Sequence, residues 1–367
     1  MRLGVQSAIV DGHVVRGDVE TDRGTIVAVG REPAGRHGVA VPGFIDVQTN
    51  GIAGVDFNAA DLDGYRSASA ALPATGVTSY QPTLISQPVE DLLTGTAMIG
   101  KARAAALPGA RIVGAHLETP FLSREYPGAH DPTFILEPDL ELADRLCDAG
   151  PVVHMTVAPE RPGGLELVEH LIRRGVRVSL GHSGADAAVA HEAFNLGACA
   201  VTHLFNAQRR FAHRDPGVGV TGLTRPDVTV TVIVDHVHLA AGTVLVAWLA
   251  AGSRLALITD QIAAAAGGPG TYRLGTREVL VTDVDARLVD GTIAGSIVTM
   301  DRAVANLVGL GVTVPQAVAA ASAAPARLIG HPELGTMRPG TPADVVVIED
   351  DVRVVRTLVD GIEVFAA

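Results

Sequence analysis

Lysine is almost missing from this chain: Lys101 is the only one among 367 residues. A Schiff-base mechanism or a lysine-bridged metal pair would have to use it. It lies in the Ala-rich, helix-like stretch AMIGKARAAA, away from every polar motif, and reads as a solvated helix position. Cysteine is nearly as scarce, and Cys147 and Cys199 form no CxxC pair, which excludes a disulfide framework. No apolar run reaches the roughly 20 residues that span a bilayer, and MRLGVQSAIV has no signal-peptide pattern. With a net charge of −12 and no Lys/Arg block, the chain offers no basic face to nucleic acid. No GxGxxG or P-loop pattern follows the first strand-like run, which argues against nucleotide binding. These absences predict a reduced, cytoplasmic, soluble protein with neither nucleic-acid nor membrane partners. Aromatics are only 4%, so Ala, Val, Leu and Ile are expected to fill the core, residues that suit a barrel interior.

What is present has two styles. Residues 1–41 hold short β-branched runs broken by turns, SAIVDGHVVRG and TIVAVG, and residues 335–367 repeat the style in ADVVVIEDDVRVVRTLVDGIEVF. Neither end is long enough to bury a core alone, so the two are predicted to pair into one small β-sandwich domain. Residues 42–334 alternate apolar runs with helical stretches such as LDGYRSASAALPA and LELVEHLIRRG. That alternation predicts βα units and a parallel sheet, and the length suits a (β/α)8 barrel, a TIM-like α/β fold.

Polar residues recur where such a barrel would converge them. RIVGAHLE ends in His116-x-Glu118, VRVSLGHS in His182, ACAVTHLFNA in His203, VTVTVIVDHVH in Asp235, His236 and His238, and RLALITD in Asp260. One histidine at a strand end is more often structural, and an Asp there often caps the next helix. Five successive strand candidates ending this way point instead to the C-terminal face that carries barrel active sites. Two imidazoles and one carboxylate from these ends would make the donor set of a catalytic metal site with one open position; His116 and Glu118 face the same way from one strand, one as ligand and the other as support. Zinc fits that set best, with iron or manganese as alternatives. Asp260 is the candidate to move the proton from water to a leaving amine, and His238 to polarise a carbonyl. After His203, the segment Asn206 to Arg214 gathers Arg209, Arg210, His213 and Arg214, suggesting an anion such as phosphate.

At these motifs the chain resembles the N-acetylglucosamine-6-phosphate deacetylase family of the amidohydrolase superfamily. The resemblance rests on the order and spacing of PGFIDVQTNGIAGVDFN, GAHLETPFLSREYPGAHDP, HMTVAPE, GHS, THLFNA, RDPG, DHVH, ITD and IAGSIVTM. It implies a barrel with a β-sandwich from both termini, metal ligands Glu118, His182 and His203, and Asp260 and His238 as catalytic groups. It also implies amino-sugar contacts at Ala129, His130, Asn206, Ala207, Arg214, His238, Ile293, Ala294 and Gly295, and a homodimer. Gln48 and Asn50 stand where superfamily members carry a second-metal His-x-His, which implies one divalent ion. Tyr126-Pro127 takes the place of a Lys pair that some members carry, and three single residues also depart from the family pattern. Thr119 replaces a Gly and is expected to add bulk beside the metal. Asp131 replaces an Asn and is expected to put an acid near the sugar, and Gln261 replaces an Ala. They motivate an alternative in which a different N-acylated amino sugar or cyclic amide is the substrate. A non-catalytic sugar-phosphate binder is the remaining reading, and the retained ligands and Asp260 oppose it.

Overall fold

The computed structural model describes residues 1–367, apart from the Asp351 side chain. Eight parallel strands build the central barrel: Phe44–Thr49, Val77–Leu84, Ala115–Leu117, Val152–Val157, Arg177–Leu180, Ala200–Val201, Thr229–Val232 and Leu255–Leu257. Neighbours pair in parallel all the way round. The eighth strand meets the first through Asp260 N–H to Gln48 O at 2.9 Å and Asn50 N–H to Gln261 O at 2.8 Å. A helix follows each strand, the pattern of a (β/α)8 barrel.

Local chemistry sets the helices. Asp61, Asp139 and Asp186 accept from the backbone N–H three residues on, each opening a helix at its N-cap. In Gly164–Arg173, Leu167, Val168 and Leu171 form one buried stripe against the strands, while Glu169 and Arg173 pair on the outside. Lys101 lies exposed in the last turn of Val89–Ala104, as its setting predicts.

The barrel interior differs from the aliphatic filling expected from composition. His154 Nδ1 bonds Gln81 Oε1 at 3.1 Å and its Nε2 bonds Ser179 Oγ at 2.5 Å. Thr156 Oγ1 joins His116 Nε2 and Thr202 Oγ1, each at 2.9 Å. Bonds that skip a strand, such as Gln81 to His154 and Thr156 to Thr202, can only run through the interior. His116 and His154 stack there with ring centroids 4.0 Å apart. Burial pushes His116 down to about 4 and His154 well below its ordinary value, so both are neutral hydrogen-bonding groups. The aliphatic residues face outward to the helices instead. His116 thus supports the barrel beneath Glu118.

Asp46, on the first strand, is fully buried in the same interior and accepts from Thr259 Oγ1 at 2.5 Å. Burial raises its pKa to about 7, against the pull of its hydrogen bonds from Thr259. Between the unfolded value of 3.8 and about 7, the folded state keeps a proton that the unfolded chain has lost. Stability from this group is therefore present at low pH and lost as pH rises through that window. Asp46→Asn is expected to raise the melting temperature relative to the native chain at about pH 8, and to do so less at about pH 5. Thermal unfolding at both pH values checks it; an equal shift at both would reject the buried-proton account.

Both termini share one sheet. Six strands order as His13–Arg16, Ser7–Val10, Val39–Pro42, Val345–Glu349, Arg353–Val359 and Ile362–Ala366. The hairpin Asp18–Asp22 with Thr25–Arg31 contributes Val19 and Ile26 to a separate core with Ala8, Ala40, Val345, Val347 and Leu358. A third small sheet, residues 270–288, packs near the C-terminal mouth of the barrel with its own apolar cluster. Among the described residues, no helix is long and apolar enough to cross a membrane.

Candidate active site

Glu118, His182, His203 and Asp260 each follow the C-terminal end of a barrel strand and converge, though up to 142 residues separate them. His182, His203 and Asp260 adopt positive φ angles of 47°, 28° and 47°, a backbone region that side chains rarely occupy. Such strain clusters where function over-determines the structure. It turns each strand end sharply enough to aim the side chain across the barrel mouth.

Glu118 Oε1 lies 2.7 Å from His203 Nε2 and 3.3 Å from His182 Nε2, and the two imidazole nitrogens are 3.1 Å apart. Ligand bonds of about 2.0–2.2 Å set donor spacings of about 3.3–3.6 Å in a tetrahedral shell, so the three groups stand at, or a little inside, the separations that a shared ion would set. His182 Nδ1 faces the Tyr126 carbonyl at 2.9 Å, so its proton sits there and its Nε2 lone pair points at Glu118. Burial pushes His182 down to about 4, which keeps that lone pair free. Burial opposes charge on Glu118 and His203 too, yet their attraction holds Glu118 well below its ordinary range and raises His203. As it stands, a proton on His203 Nε2 meets Glu118 Oε1; the same carboxylate and two imidazoles are a donor set that fits a divalent ion. His130 is also near: one ligand atom each from Glu118, His130 and His182 fall within 4.8 Å of one another.

Beside this cluster, Gln48 Nε2 donates to Glu118 Oε1 at 2.9 Å and to Asp260 Oδ1 at 3.2 Å. Asn50 Nδ2 donates to the same Asp260 oxygen at 2.8 Å. Neutral amide N–H groups thus occupy the space between the two carboxylates, which a second cation would otherwise need. Burial first, then the Glu118 charge, raise Asp260 to about 6. On the opposite wall, Asp235 Oδ2 lies 2.6 Å from His238 Nδ1, and its Oδ1 accepts from the Val237 and His238 N–H groups at 2.9 Å. Burial would raise Asp235, but the bond from His238 leaves it below its ordinary value. The pair fixes the ring with Nε2 toward the cavity. A cavity of about 240 Å³ joins Glu118, His182, His203, Asp260 and His238. A larger groove of about 780 Å³ lies elsewhere, against Arg111 and Asp360, and none of these groups reaches it.

The sequence profile of the amidohydrolase family matches residues 39–364. The chain is 37% identical to a rat N-acetylglucosamine-6-phosphate deacetylase over 348 residues, 90% of this chain and 84% of that protein.

The chain belongs to the N-acetylglucosamine-6-phosphate deacetylase family of amidohydrolases.

It is also 32% identical to an N-acetylgalactosamine-6-phosphate deacetylase of Escherichia coli O157:H7, over 87% of this chain and 86% of that one. A solved structure of a mutant N-acetyl-D-glucosamine-6-phosphate deacetylase from Mycobacterium smegmatis, in complex with N-acetyl-D-glucosamine-6-phosphate, superposes with a TM-score of 0.95 at 34% identity. It covers 100% of this chain and 99% of that one.

Against the deacetylase family pattern, the cavity holds most of the expected contacts: Ala129, His130, Asn206, Ala207, Ile293 and Gly295 all line it. Two do not. Arg214 is exposed on the loop after His203, where Ala212 and Asp215 form a tight bridge. Ala294 is fully buried in the apolar cluster of the small 270–288 sheet, one residue out of phase with the two cavity-lining neighbours on either side of it. Ile85, Leu274 and Thr292 line the cavity without a motif to announce them, and Gly128 lines it from within the motif that carries Ala129 and His130. Ile85 follows the second barrel strand, a position from which a site residue is readable. Leu274 arrives through a hairpin, and nothing in its local sequence signals it.

The three single-residue departures from the family pattern all turn away from the cavity. Thr119 is fully buried and donates to Ser86 Oγ at 3.0 Å, so it adds no bulk beside the metal cluster. Asp131 spends its Oδ1 on the Thr133 backbone and hydroxyl, capping a short turn. Gln261 reaches Thr49 Oγ1 at 3.3 Å on the barrel side.

Proposed function

We propose that the chain hydrolyses the acetamide of N-acetylglucosamine 6-phosphate, giving glucosamine 6-phosphate and acetate. One observation carries this reading: the proposed ligand cluster, Asp260 and all the expected sugar contacts but Arg214 and Ala294 share a single cavity, and Thr119, Asp131 and Gln261 do not reach into it. Glu118, His182 and His203 would hold one divalent ion, zinc by donor type. When bound, such an ion polarises the amide carbonyl and acidifies water toward neutral pH. Asp260 takes the water's proton. Its Oδ1 is occupied by Gln48 and Asn50, which leaves Oδ2 for that proton. Once protonated, the same buried carboxyl can return the proton to the leaving nitrogen. His238, steadied by Asp235, faces the carbonyl oxygen. Ala129, His130, Asn206, Ala207, Ile293 and Gly295 hold the sugar. Arg214 and Ala294 stay in the proposal only as outlying contacts, Arg214 for a phosphate that projects beyond the cavity. A cytoplasmic homodimer accords with the family resemblance.

A second reading is the 4-epimeric sugar, N-acetylgalactosamine 6-phosphate, favoured by the Escherichia coli relative. Acetate release from zinc-loaded protein tests both, with N-acetylglucosamine, the two 6-phosphates and a cyclic amide as substrates. N-acetylglucosamine 6-phosphate is expected to have the highest kcat/KM. Release from the galactosamine phosphate alone would favour the second reading, and turnover of the cyclic amide alone would reject both.

A further inference from the structure

His130 stands close enough to Glu118 and His182 to be counted among the metal ligands. Its hydrogen bonds decide otherwise. The Ser86 backbone N–H donates to His130 Nδ1 at 3.2 Å. A backbone N–H can only donate, so this long 3.2 Å contact favours a lone pair on Nδ1 without by itself compelling it. The Ser86 hydroxyl lies 3.0 Å from the same nitrogen, and the Thr119 hydroxyl donates to Ser86 Oγ at 3.0 Å. Thr119, Ser86 and His130 are all buried, so water does not compete for these bonds. A ring with one proton then carries it on Nε2. That is the reverse of His182, whose Nδ1 faces the Tyr126 carbonyl and whose Nε2 is the acceptor. His130 Nε2 is 3.7 Å from Glu118 Oε2, too far for a normal hydrogen bond, so its donor is left for another oxygen in the cavity it lines.

We infer that Thr119 and Ser86 are positioning residues that hold His130 as an Nε2–H donor to a substrate oxygen and keep it out of the metal's ligand set. The substrate half of this inference rests on the deacetylase reading; the ligand half does not. Thr119, one of the residues that depart from the family pattern, thereby acquires a function of its own, because its hydroxyl orients the Ser86 hydroxyl toward the ring.

Nitrogen-15 NMR of histidine-labelled full-length protein tests it, with His130 assigned by its loss in His130→Asn. Nδ1 is expected to be unprotonated and Nε2 protonated, both before and after zinc is added. His130→Asn is expected to keep zinc affinity within about three-fold in chelator competition, where losing a ligand costs more than the 10–100-fold typical of outer partners. Ser86→Ala and Thr119→Val are expected to admit the other tautomer in the spectrum. They should raise KM for the 6-phosphate about three- to ten-fold, with kcat and zinc affinity nearly unchanged, the loss of one hydrogen bond. A His130 Nε2 that loses its proton on zinc addition, or a His130→Asn protein that no longer holds zinc, would make His130 a ligand and overturn the inference. Native spectra and KM in both buttress variants would reduce Thr119 and Ser86 to packing. The spectra and zinc competition use no substrate, so they stand apart from any failure of the deacetylase reading.

Discussion

Asp260→Asn is expected to lower kcat by about 10²–10⁴-fold, the usual contribution of a positioned acid–base group, while the protein still binds its metal. The substitution is nearly isosteric. An Asn Oδ1 can still accept from Gln48 and Asn50, the two amides that hold the native oxygen. What it cannot do is take a proton from water and hand it to a leaving nitrogen. Folding and KM should therefore change little, and the loss should fall on kcat. Steady-state acetate release and metal analysis on the same preparation check this. Activity above about a tenth of native would mean that another group carries the proton.

Glu118→Gln is expected to reduce zinc affinity by more than about 100-fold, since even outer partners of ligands cost 10–100-fold. The argument is electrostatic. Glu118 is the only anion among the three proposed ligands, and the carboxylate stays ionised despite burial because His203 faces it. A neutral amide keeps the shape but removes the charge that offsets the cation. The Gln could also turn its N–H toward His203 or His182 and repel the ion outright. Chelator competition measures the affinity, and Gln48→Ala is the control. Gln48 touches Glu118 without being a ligand, so its removal should cost far less. Equal losses in both variants would mean that Glu118 acts only through the hydrogen-bond network.

The barrel and the ligand cluster are legible in the sequence because their signal repeats. Five of the eight strands are short apolar runs that end in Glu, His or Asp, and a parallel barrel has only one face on which those ends can meet. The polar interior is legible too, but composition points the wrong way. In VTSYQPTL, Gln81 and Thr83 alternate with Tyr80 and Pro82, and the inward set is the polar one. Strand alternation outranks bulk composition here. The Gln48 bridge is not legible. Its two carboxylate partners lie 70 and 212 residues away, and no local pattern says that one amide will reach both. Nor is the orientation of Thr119, because sequence gives the neighbour of a ligand but not the direction its side chain takes.

The shared terminal sheet has a consequence for how the chain is made. Val39–Pro42 pairs in parallel with Ser7–Val10, but its other edge belongs to Val345–Ile348. On a ribosome adding about 5–20 residues per second, roughly 300 residues separate the synthesis of those two partners. For about 15–60 s the first strands leave the exit tunnel with an open edge and no core to cover them. The barrel can close around its site in that interval; the N-terminal segment must wait for the last residues translated.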